Sequence, residues 1–296
     1  MRQLRALDNR GLTMAQTHEV IANAIVSGKP FFVGRPGGTE SEGMRFFVEK
    51  RLASKNPTPP PYSKWFKEFV QRGPGVIHFS DSDLDIFCQH YLTATLEADI
   101  LAYGRFAPGA VGIAKTVSET GTVVTDFAHL EALLAVTKNI SPWTIALKGK
   151  KVLVVHPFEK SIREQFARRL EVTNVSAILP DFNLDTLVPP VTFAGETSNA
   201  PWHQNFSDLT QRVIARDFDI AIIGAGGYGL PLARAIKQAG RQAIHLGGTT
   251  QLLFGIRGKR WDNRPDFSDF FDDSWVRPRP DETPRKKELV EGGIYW

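Results

Sequence analysis

Three glycine-containing turns in this chain carry side chains that could bind a phosphorylated ligand. The first is GRPGGTE, in which Arg35 and Glu40 flank a glycine pair. The second is GAGGYG at 224–229, and the third is the glycine pair at 247–248, followed shortly by GKRW at 258–261. Glycines let backbone N–H groups approach a phosphate, basic side chains balance its charge, and an aromatic plane can stack on a base. These residue types together indicate a nucleotide site.

A strand–turn–helix pattern positions the second and third turns. Residues 220–223 form a short apolar run rich in β-branched residues, which is typical of a strand buried on both faces. Pro231 fits the first turn of a helix, and Gly240 fits the cap at its end. Residues 243–246 then predict a second, parallel strand, so this stretch is one right-handed βαβ unit. Because ligands bind outside the carboxyl ends of parallel strands, both glycine turns are expected at the ligand-binding edge.

The same pattern occurs twice earlier in the chain. Residues 31–33 predict a strand before GRPGGTE and a helix over 41–52, and residues 152–155 predict a strand that ends at His156. His156 is therefore expected at the ligand-binding edge, although a structural role in the turn explains it equally well. Glu40 and Glu42 also have a structural explanation, since carboxylates stabilise the N-terminus of a helix.

Weaker patterns predict the remaining elements. We expect an extended proline-rich connection at 56–66 and an irregular arm over 262–296. The arm keeps several large aromatic residues, which favours packing on the body or on a second subunit, with a disordered tail as the alternative. The other predicted elements are helices over 14–27, 127–137, 161–170 and 206–216, a strand followed by a helix within 76–103, and a strand at 177–179.

These elements predict an α/β fold with a Rossmann-like parallel sheet and helices on both faces. We divide the chain into an N-terminal α/β half (1–147) that carries GRPGGTE, a Rossmann-like nucleotide-binding half (148–261), and the irregular C-terminal arm (262–296).

Composition narrows the class of protein. The 296 residues carry a formal net charge of +4, which is too small and too scattered to indicate nucleic-acid binding. The single cysteine, Cys88, excludes an internal disulfide framework and suits a reducing compartment. The sequence has neither a transmembrane-length apolar run nor a signal-peptide core, so we expect a soluble cytoplasmic protein.

Motif tests exclude several chemistries. GAGGYG matches G-x-G-x-x-G, but the second strand ends in HLGG at 245–248, without the acid that would hold a ribose in a classical NAD site. No Walker lysine occurs, and neither does G-x-S-x-G, H-E-x-x-H or a paired C-x-x-C. P-loop, α/β-hydrolase and zinc chemistries are therefore disfavoured.

Several segments carry a family resemblance. FFVGRPGGTE, KGKKVLVVHPF, GAGGYGLPLA, AIHLGGTTQLLFGIRGKRW and ETPRKKELVEGGIYW resemble an uncharacterised bacterial family whose members tend to accompany surface-polysaccharide biosynthesis. More distantly, GRPGGTE is similar to the R-x-G-D-G-E turn of the GT-D glycosyltransferases, which use an Asp-x-Glu pair near the sugar nucleotide and its metal. Arg35, Gly37 and Glu40 match that turn, whereas Gly38 stands at the Asp position and Thr39 at the middle glycine.

The resemblance implies a GT-D-like fold and a glycosyltransferase that joins a nucleotide-sugar donor to a saccharide or glycoconjugate acceptor. The implied cofactor is a divalent cation, Mn²⁺ or Mg²⁺, although half of the carboxylate pair is replaced. Glu40 is the candidate catalytic residue, and Lys259 and Arg260 would offset charge on the leaving diphosphate. The other candidate substrate contacts are Arg35, Gly37, Gly38, Thr39, His156, Gly224, Gly226, Tyr228, Gly229, Gly247, Gly248, Gln251 and Trp261.

Two alternative functions stay open on the sequence. One is an NAD(P)-binding oxidoreductase with an unusual ribose contact. The other is a non-catalytic component of a polysaccharide-assembly complex, which the glycine at position 38 favours. The aromatic arm also suggests a homodimer.

Overall fold

Seven parallel strands form one sheet at the centre of the protein. The computed structural model describes residues 11–52, 61–104 and 122–296. Across the sheet the strand order is β3-β2-β1-β7-β6-β4-β5, and every described pairing is parallel. The strands are β1 (Phe31–Gly34), β2 (Ile100–Tyr103), β3 (Val123–Asp126), β4 (Lys151–Val155), β5 (Asn183–Leu187), β6 (Ile220–Ile223) and β7 (Gln242–His245).

Helices cover both faces of the sheet, as predicted. Successive strand residues point to opposite faces, so Phe32 belongs to one apolar cluster while Phe31 and Val33 belong to the other. Burial on both faces explains why the central strands consist of apolar runs. The helices are α1 (Met14–Ser27), α2 (Gly38–Leu52), α3 (Lys64–Arg72), α4 (Asp81–Leu96), α5 (Ala132–Thr137), α6 (Glu159–Ala167), α7 (Trp202–Ile214), α8 (Gly229–Gln238) and the short α9 (Lys259–Asp262).

The two predicted halves share this sheet. Strands β1 to β3 come from residues 1–147 and β4 to β7 from residues 148–261, and the halves meet where β1 pairs with β7. The chain leaves β1 towards β2 on one side, while β7 lies on the other side. Such a reversal of strand order opens a crevice at the carboxyl ends of the strands.

Some predicted elements were wrong. Residues 76–79 and 177–179 form no strand, and the strands of these regions are β2 and β5 instead. Strand β5 is at the edge of the sheet and has the sequence NLDTL, with three polar residues, so it lacks the apolar run that marks the central strands. The predicted helix over 127–137 is a 3₁₀ turn, Phe127–Leu130, followed by α5. Residues 53–60, within and beside the predicted proline-rich connection, lie outside the described residues.

The C-terminal arm is irregular and packed, which agrees with the prediction and contradicts a disordered tail. Its short 3₁₀ turns are Ser268–Phe270, Pro280–Glu282 and Lys287–Leu289. The arm buries large side chains in the same cluster as Val33 and Ile244: Phe267, Phe270, Trp275, Val290 and Trp296. None of the helices in the described ranges is both long and apolar enough to cross a bilayer.

The turns that follow β4, β6 and β7 pack closely together, and Gly224 is the point of contact. A Cβ at Gly224 would lie 2.5 Å from His156 Cδ2 and 2.7 Å from the Gly247 carbonyl oxygen. We therefore expect Gly224→Ala to lower the free energy of unfolding by about 1–3 kcal/mol, through overpacking. Urea unfolding of the purified variant measures this.

Gly38→Ala is the matched control, because a Cβ there meets nothing within 4 Å among the described residues and its backbone is not left-handed. A loss of stability in the control equal to that in Gly224→Ala would contradict the role of close packing.

Candidate functional site

A cavity of about 700 Å³ lies at the carboxyl edge of the sheet. Six of the seven strands deliver a residue to its wall, at or just beyond their last residue. These residues are Arg35 after β1, Gly104 after β2, Asp126 of β3, His156 after β4, Gly224 after β6 and His245 of β7. The predicted convergence of the β1, β4, β6 and β7 turns is thus present in the structure.

Arg35 joins the loops that follow β1 and β7. Its Nη1 donates hydrogen bonds to the Leu246 carbonyl oxygen at 2.5 Å and to Thr249 Oγ1 at 2.7 Å. The guanidinium also lies 4.5 Å from the centroid of the Phe127 ring. The planar group is therefore held in place before any ligand binds, and Arg35 is part of the cavity wall.

Glu131 is the carboxylate partner of Arg35, with the two charged groups 3.8 Å apart. Burial lowers the pKa of Arg35 and raises that of Glu131, while their mutual attraction opposes both shifts. Arg260 and Arg264 also lower the pKa of Arg35 by repulsion, which places three guanidinium groups within electrostatic reach of one another. All three arginines line the cavity, so the site is suited to an anion.

Glu40 lies in the first turn of α2 and is only 8% exposed. Its carboxylate folds back over Gly37, where a Cβ would lie 2.1 Å from Oε2, so a side chain at residue 37 would displace the Glu40 carboxylate. Desolvation by burial raises the pKa of Glu40 to about 7; a hydrogen bond to the helix backbone opposes this shift, and the negative charge of Glu291 adds to it. A carboxylate with a pKa near neutrality can take up a proton at physiological pH.

Two buried histidines also line the cavity. Nδ1 of His156 accepts a hydrogen bond of 3.0 Å from the Phe158 backbone N–H. Burial lowers the pKa of His156 to about 3, and that of His245 to about 3 as well. His156 is therefore neutral, with its proton on Nε2, and this nitrogen can only donate.

The GAGGYG turn is filled largely by the protein itself. A Cβ at Gly229 would lie 2.4 Å from the His245 ring, and one at Gly226 would lie 2.7 Å from the Pro74 carbonyl oxygen. Tyr228 is 1% exposed, and its hydroxyl lies 3.2 Å from Thr192 Oγ1. Gly224 and Gly226 line the cavity, whereas Tyr228 and Gly229 lie outside the lining that the described residues form.

The second glycine turn carries the end of the C-terminal arm. A Cβ at Gly248 would lie 2.2 Å from Tyr295 Cε1, so the tyrosine ring rests directly on Gly248. Gln251 Nε2 donates to the Tyr295 carbonyl oxygen at 3.1 Å, and the Arg260 backbone N–H donates to the Ile294 carbonyl oxygen at 2.9 Å. Residues 289–291 and 295–296 consequently form one wall of the cavity.

The basic run at 258–261 divides between the cavity and the solvent. The Arg260 side chain lines the cavity, lies 2.8 Å from Glu291 and stacks 4.8 Å from the centroid of the Tyr295 ring. Lys259 is exposed and lies outside the described lining. Trp261 lines the cavity but is only 1% exposed, and Arg264 adds a cation that the motifs did not predict.

The predicted contacts come together only in part. Glu40, Arg35, Gly37, Gly38, Thr39, His156, Gly224, Gly226, Gly247, Gly248, Gln251, Arg260 and Trp261 line one cavity. Sequence reasoning missed Glu131, His245, Arg264 and Tyr295, all of which line it as well. His245 could have been found, since it ends the predicted strand at 243–246. Glu131 and Arg264 lie outside glycine turns, so no local signal marked them. Tyr295 follows the Gly292–Gly293 pair within ETPRKKELVEGGIYW, which marked this segment but not its place in the cavity.

The donor set of the cavity does not fit a resident divalent cation. No group of three or more His, Cys, Asp or Glu side chains in residues 11–52, 61–104 and 122–296 could hold a metal. Glu131 and Glu291 are each paired with an arginine. Gly38, two residues before Glu40, supplies no side-chain oxygen that could hold a cation together with the Glu40 carboxylate.

The chain is distantly similar to a solved structure. No protein-family model matches the chain, and no curated protein sequence matches it significantly. Among solved structures, the chain is similar to a selenomethionine-substituted domain of unknown function 1792 (DUF1792), at 10% sequence identity and a TM-score of 0.38. That match covers 91% of this chain and 98% of the other.

The raised pKa of Glu40 predicts a pH dependence of stability. Because the folded-state pKa of about 7 exceeds the ordinary value of 4.5, the folded protein binds more protons than the unfolded chain between these pH values. The contribution of Glu40 to the free energy of unfolding is therefore fully present below about pH 4.5 and is lost as pH rises through 7. The free energy of unfolding should fall by about 3 kcal/mol over this range.

Urea unfolding at pH 5 and pH 8 measures this change. The Glu40→Gln variant has no titrating group at this position, so it should lack this part of the pH dependence. Identical pH profiles for the variant and the wild type would show that Glu40 titrates normally.

Proposed function

We propose that the protein is a glycosyltransferase that uses a nucleotide-activated sugar. The observation that carries the proposal is the presence, in one cavity at the carboxyl edge of a parallel sheet, of a buried carboxylate with a pKa near 7 and three arginines. A sugar nucleotide combines an anionic diphosphate with hydroxyl groups, and transfer from it requires charge stabilisation together with a proton acceptor.

The arginines would bind the diphosphate. Arg35 is positioned by its bonds to Leu246 and Thr249, and Arg260 is positioned by the Tyr295 ring and Glu291. During transfer the bond between the anomeric carbon and the diphosphate oxygen breaks, and its electron pair leaves with the nucleoside diphosphate. Guanidinium groups fixed in advance stabilise that growing charge without reorganising, which is the task a metal performs in other transferases.

Glu40 would accept the proton of the attacking hydroxyl. As the acceptor oxygen bonds to the anomeric carbon, its proton moves to the Glu40 carboxylate. A base with a pKa near the working pH is well matched to this step, and the rate should rise with pH as Glu40 ionises. His156, with its proton on Nε2, would donate a hydrogen bond to a donor or acceptor oxygen.

The sequence resemblance to a family that accompanies surface-polysaccharide biosynthesis supports a saccharide or glycoconjugate acceptor. The match of Arg35, Gly37 and Glu40 to the GT-D turn supports the same reading. The chain departs from that turn at two positions, because Gly38 replaces the Asp and Thr39 replaces the middle glycine. In our proposal the cavity arginines take over the role of the cation.

A donor screen followed by the Glu40→Gln variant tests the proposal. Melting temperature is measured with UDP-, GDP-, CMP- and dTDP-sugars, with NAD and with NADP, each with and without Mn²⁺. We expect one sugar nucleotide to raise it without the metal. Glu40→Gln should keep that shift but lower transfer by about 10²–10⁴-fold. Unchanged turnover would remove Glu40 from the mechanism, and a shift with NAD or NADP alone would favour an oxidoreductase.

Arg260 and its neighbour Lys259 provide a matched test of phosphate binding. Arg260→Ala should weaken binding of the nucleoside diphosphate by about 10- to 100-fold, because a hydrogen bond to a charged group is lost. It should leave the affinity for the nucleoside almost unchanged. Lys259→Ala removes the same charge one residue away, from a side chain that is not among the described residues lining the cavity. It should change the affinity for neither the nucleoside diphosphate nor the nucleoside. Isothermal titration calorimetry measures both ligands, and an equal loss for both would contradict this assignment.

A further inference from the structure

The cavity has an aromatic end in addition to its arginines. We define the aromatic end as Phe69, Phe158, Phe193 and Trp296, all of which line the cavity. The Trp296 ring links two of them, since its centroid lies 6.1 Å from that of Phe158 and 6.1 Å from that of Phe193. A backbone hydrogen bond of 3.0 Å from Ala194 N–H to the Arg72 carbonyl oxygen holds the Phe193 segment to the end of α3, which carries Phe69.

The aromatic end has few side chains that can form hydrogen bonds. The neighbouring lining residues Gly73, Pro74 and Leu289 have no polar side-chain atoms, and His156, whose ring centroid lies 4.7 Å from that of Phe158, borders this end with one donor, Nε2. A sugar ring buried there would exchange its hydrogen bonds with water for few bonds to protein, at a cost in free energy. A hydrocarbon chain has no hydrogen bonds to lose, and its transfer from water into an apolar site is favourable in free energy.

The aromatic surface continues from the cavity to the exterior. Phe69 lines the cavity and is 39% exposed. Its ring stacks on that of Trp65, with ring centroids 5.1 Å apart and the planes 12° from parallel, and Trp65 lies outside the lining that the described residues form. Trp65 is 61% exposed, although α3 already anchors itself through the fully buried Phe66 and Val70. The Trp65–Phe69 pair therefore extends the apolar wall beyond the mouth of the cavity.

We propose that the acceptor is an amphiphile, with a hydrophilic head beside Glu40 and a hydrocarbon chain in the aromatic end that leaves the cavity over Trp65. The identification of this ligand as an acceptor rests on the proposed function, whereas the chain-binding subsite rests on the rings alone. The division of the cavity matches the two parts of such a molecule: arginines and Glu40 for the polar groups, and an apolar wall for the chain.

Alkyl maltosides test the subsite without a sugar nucleotide. Their affinity is measured by isothermal titration calorimetry, from hexyl to dodecyl chains, below the micelle-forming concentration, with maltose as the chain-free reference. We expect affinity to rise by up to about fourfold per added methylene, the increment expected for burial of a CH₂ group. Affinity that is independent of chain length, or maltose binding as tightly as its dodecyl derivative, would overturn the proposal.

Variants locate the subsite. Trp65→Ala should lower dodecyl maltoside affinity several-fold and Phe69→Ala should lower it further, and both should reduce the dependence on chain length. Leu170→Ala is the control, because it removes an apolar side chain that is 74% exposed and outside the described lining. Because Trp65 is largely exposed, its replacement is expected to leave folding intact, so the test does not depend on Phe69→Ala.

Two outcomes separate this proposal from the proposed function. Loss of affinity in Leu170→Ala equal to that in Trp65→Ala would mean non-specific adsorption and would overturn the subsite. Chain-dependent binding without any response to sugar nucleotides would uphold the subsite while contradicting the glycosyltransferase.

Discussion

Arg35 connects the two halves of the sheet, which meet between β1 and β7, where the strand order reverses. Its guanidinium follows β1, yet its hydrogen bonds go to Leu246 and Thr249, which follow β7. The chain between these contacts spans more than 200 residues, so one buried group fixes the relative position of loops from both halves. The cavity walls that carry Glu40, His245 and Arg260 all adjoin these loops. Partial burial of the charge is compensated by Glu131 and by the Phe127 ring.

The electrostatics of the cavity follow from this arrangement. Arginines that already have carboxylate partners, such as Arg35 with Glu131 and Arg260 with Glu291, do not carry the full repulsion of unpaired cations. A polyanionic ligand can then compete for their free donors without the protein being unstable in its absence. Glu40 differs from the paired carboxylates. Desolvation raises its pKa, and no cationic side chain is among the groups that oppose this shift. The same cavity can thus hold anion-binding groups and a near-neutral carboxylate.

The sequence was most informative where local rules decide the structure. The strands at 220–223 and 243–246 and the convergence of their turns could be predicted, because short apolar runs followed by glycine have few alternatives in an α/β protein. Strand β5 could not be predicted. An edge strand needs fewer apolar residues than a central strand, so its sequence has no continuous apolar run. The glycines lie where they were predicted, but some of them are needed for close packing rather than for ligand binding. Gly229 faces the His245 ring from within the same βαβ unit, whereas Gly248 faces Tyr295, which lies 47 residues further along the chain. No local pattern can anticipate a contact of the second kind.

The docking of Tyr295 on Gly248 links ligand binding to the stability of the fold. Residues 289–291 and 295–296 supply part of the wall of a cavity that Arg35 also lines. The same arm contributes Trp275, Val290 and Trp296 to the apolar cluster that contains Val33 and Ile244. The cavity and this part of the core are therefore completed by the same segment, so a change that loosens the arm costs affinity and stability together.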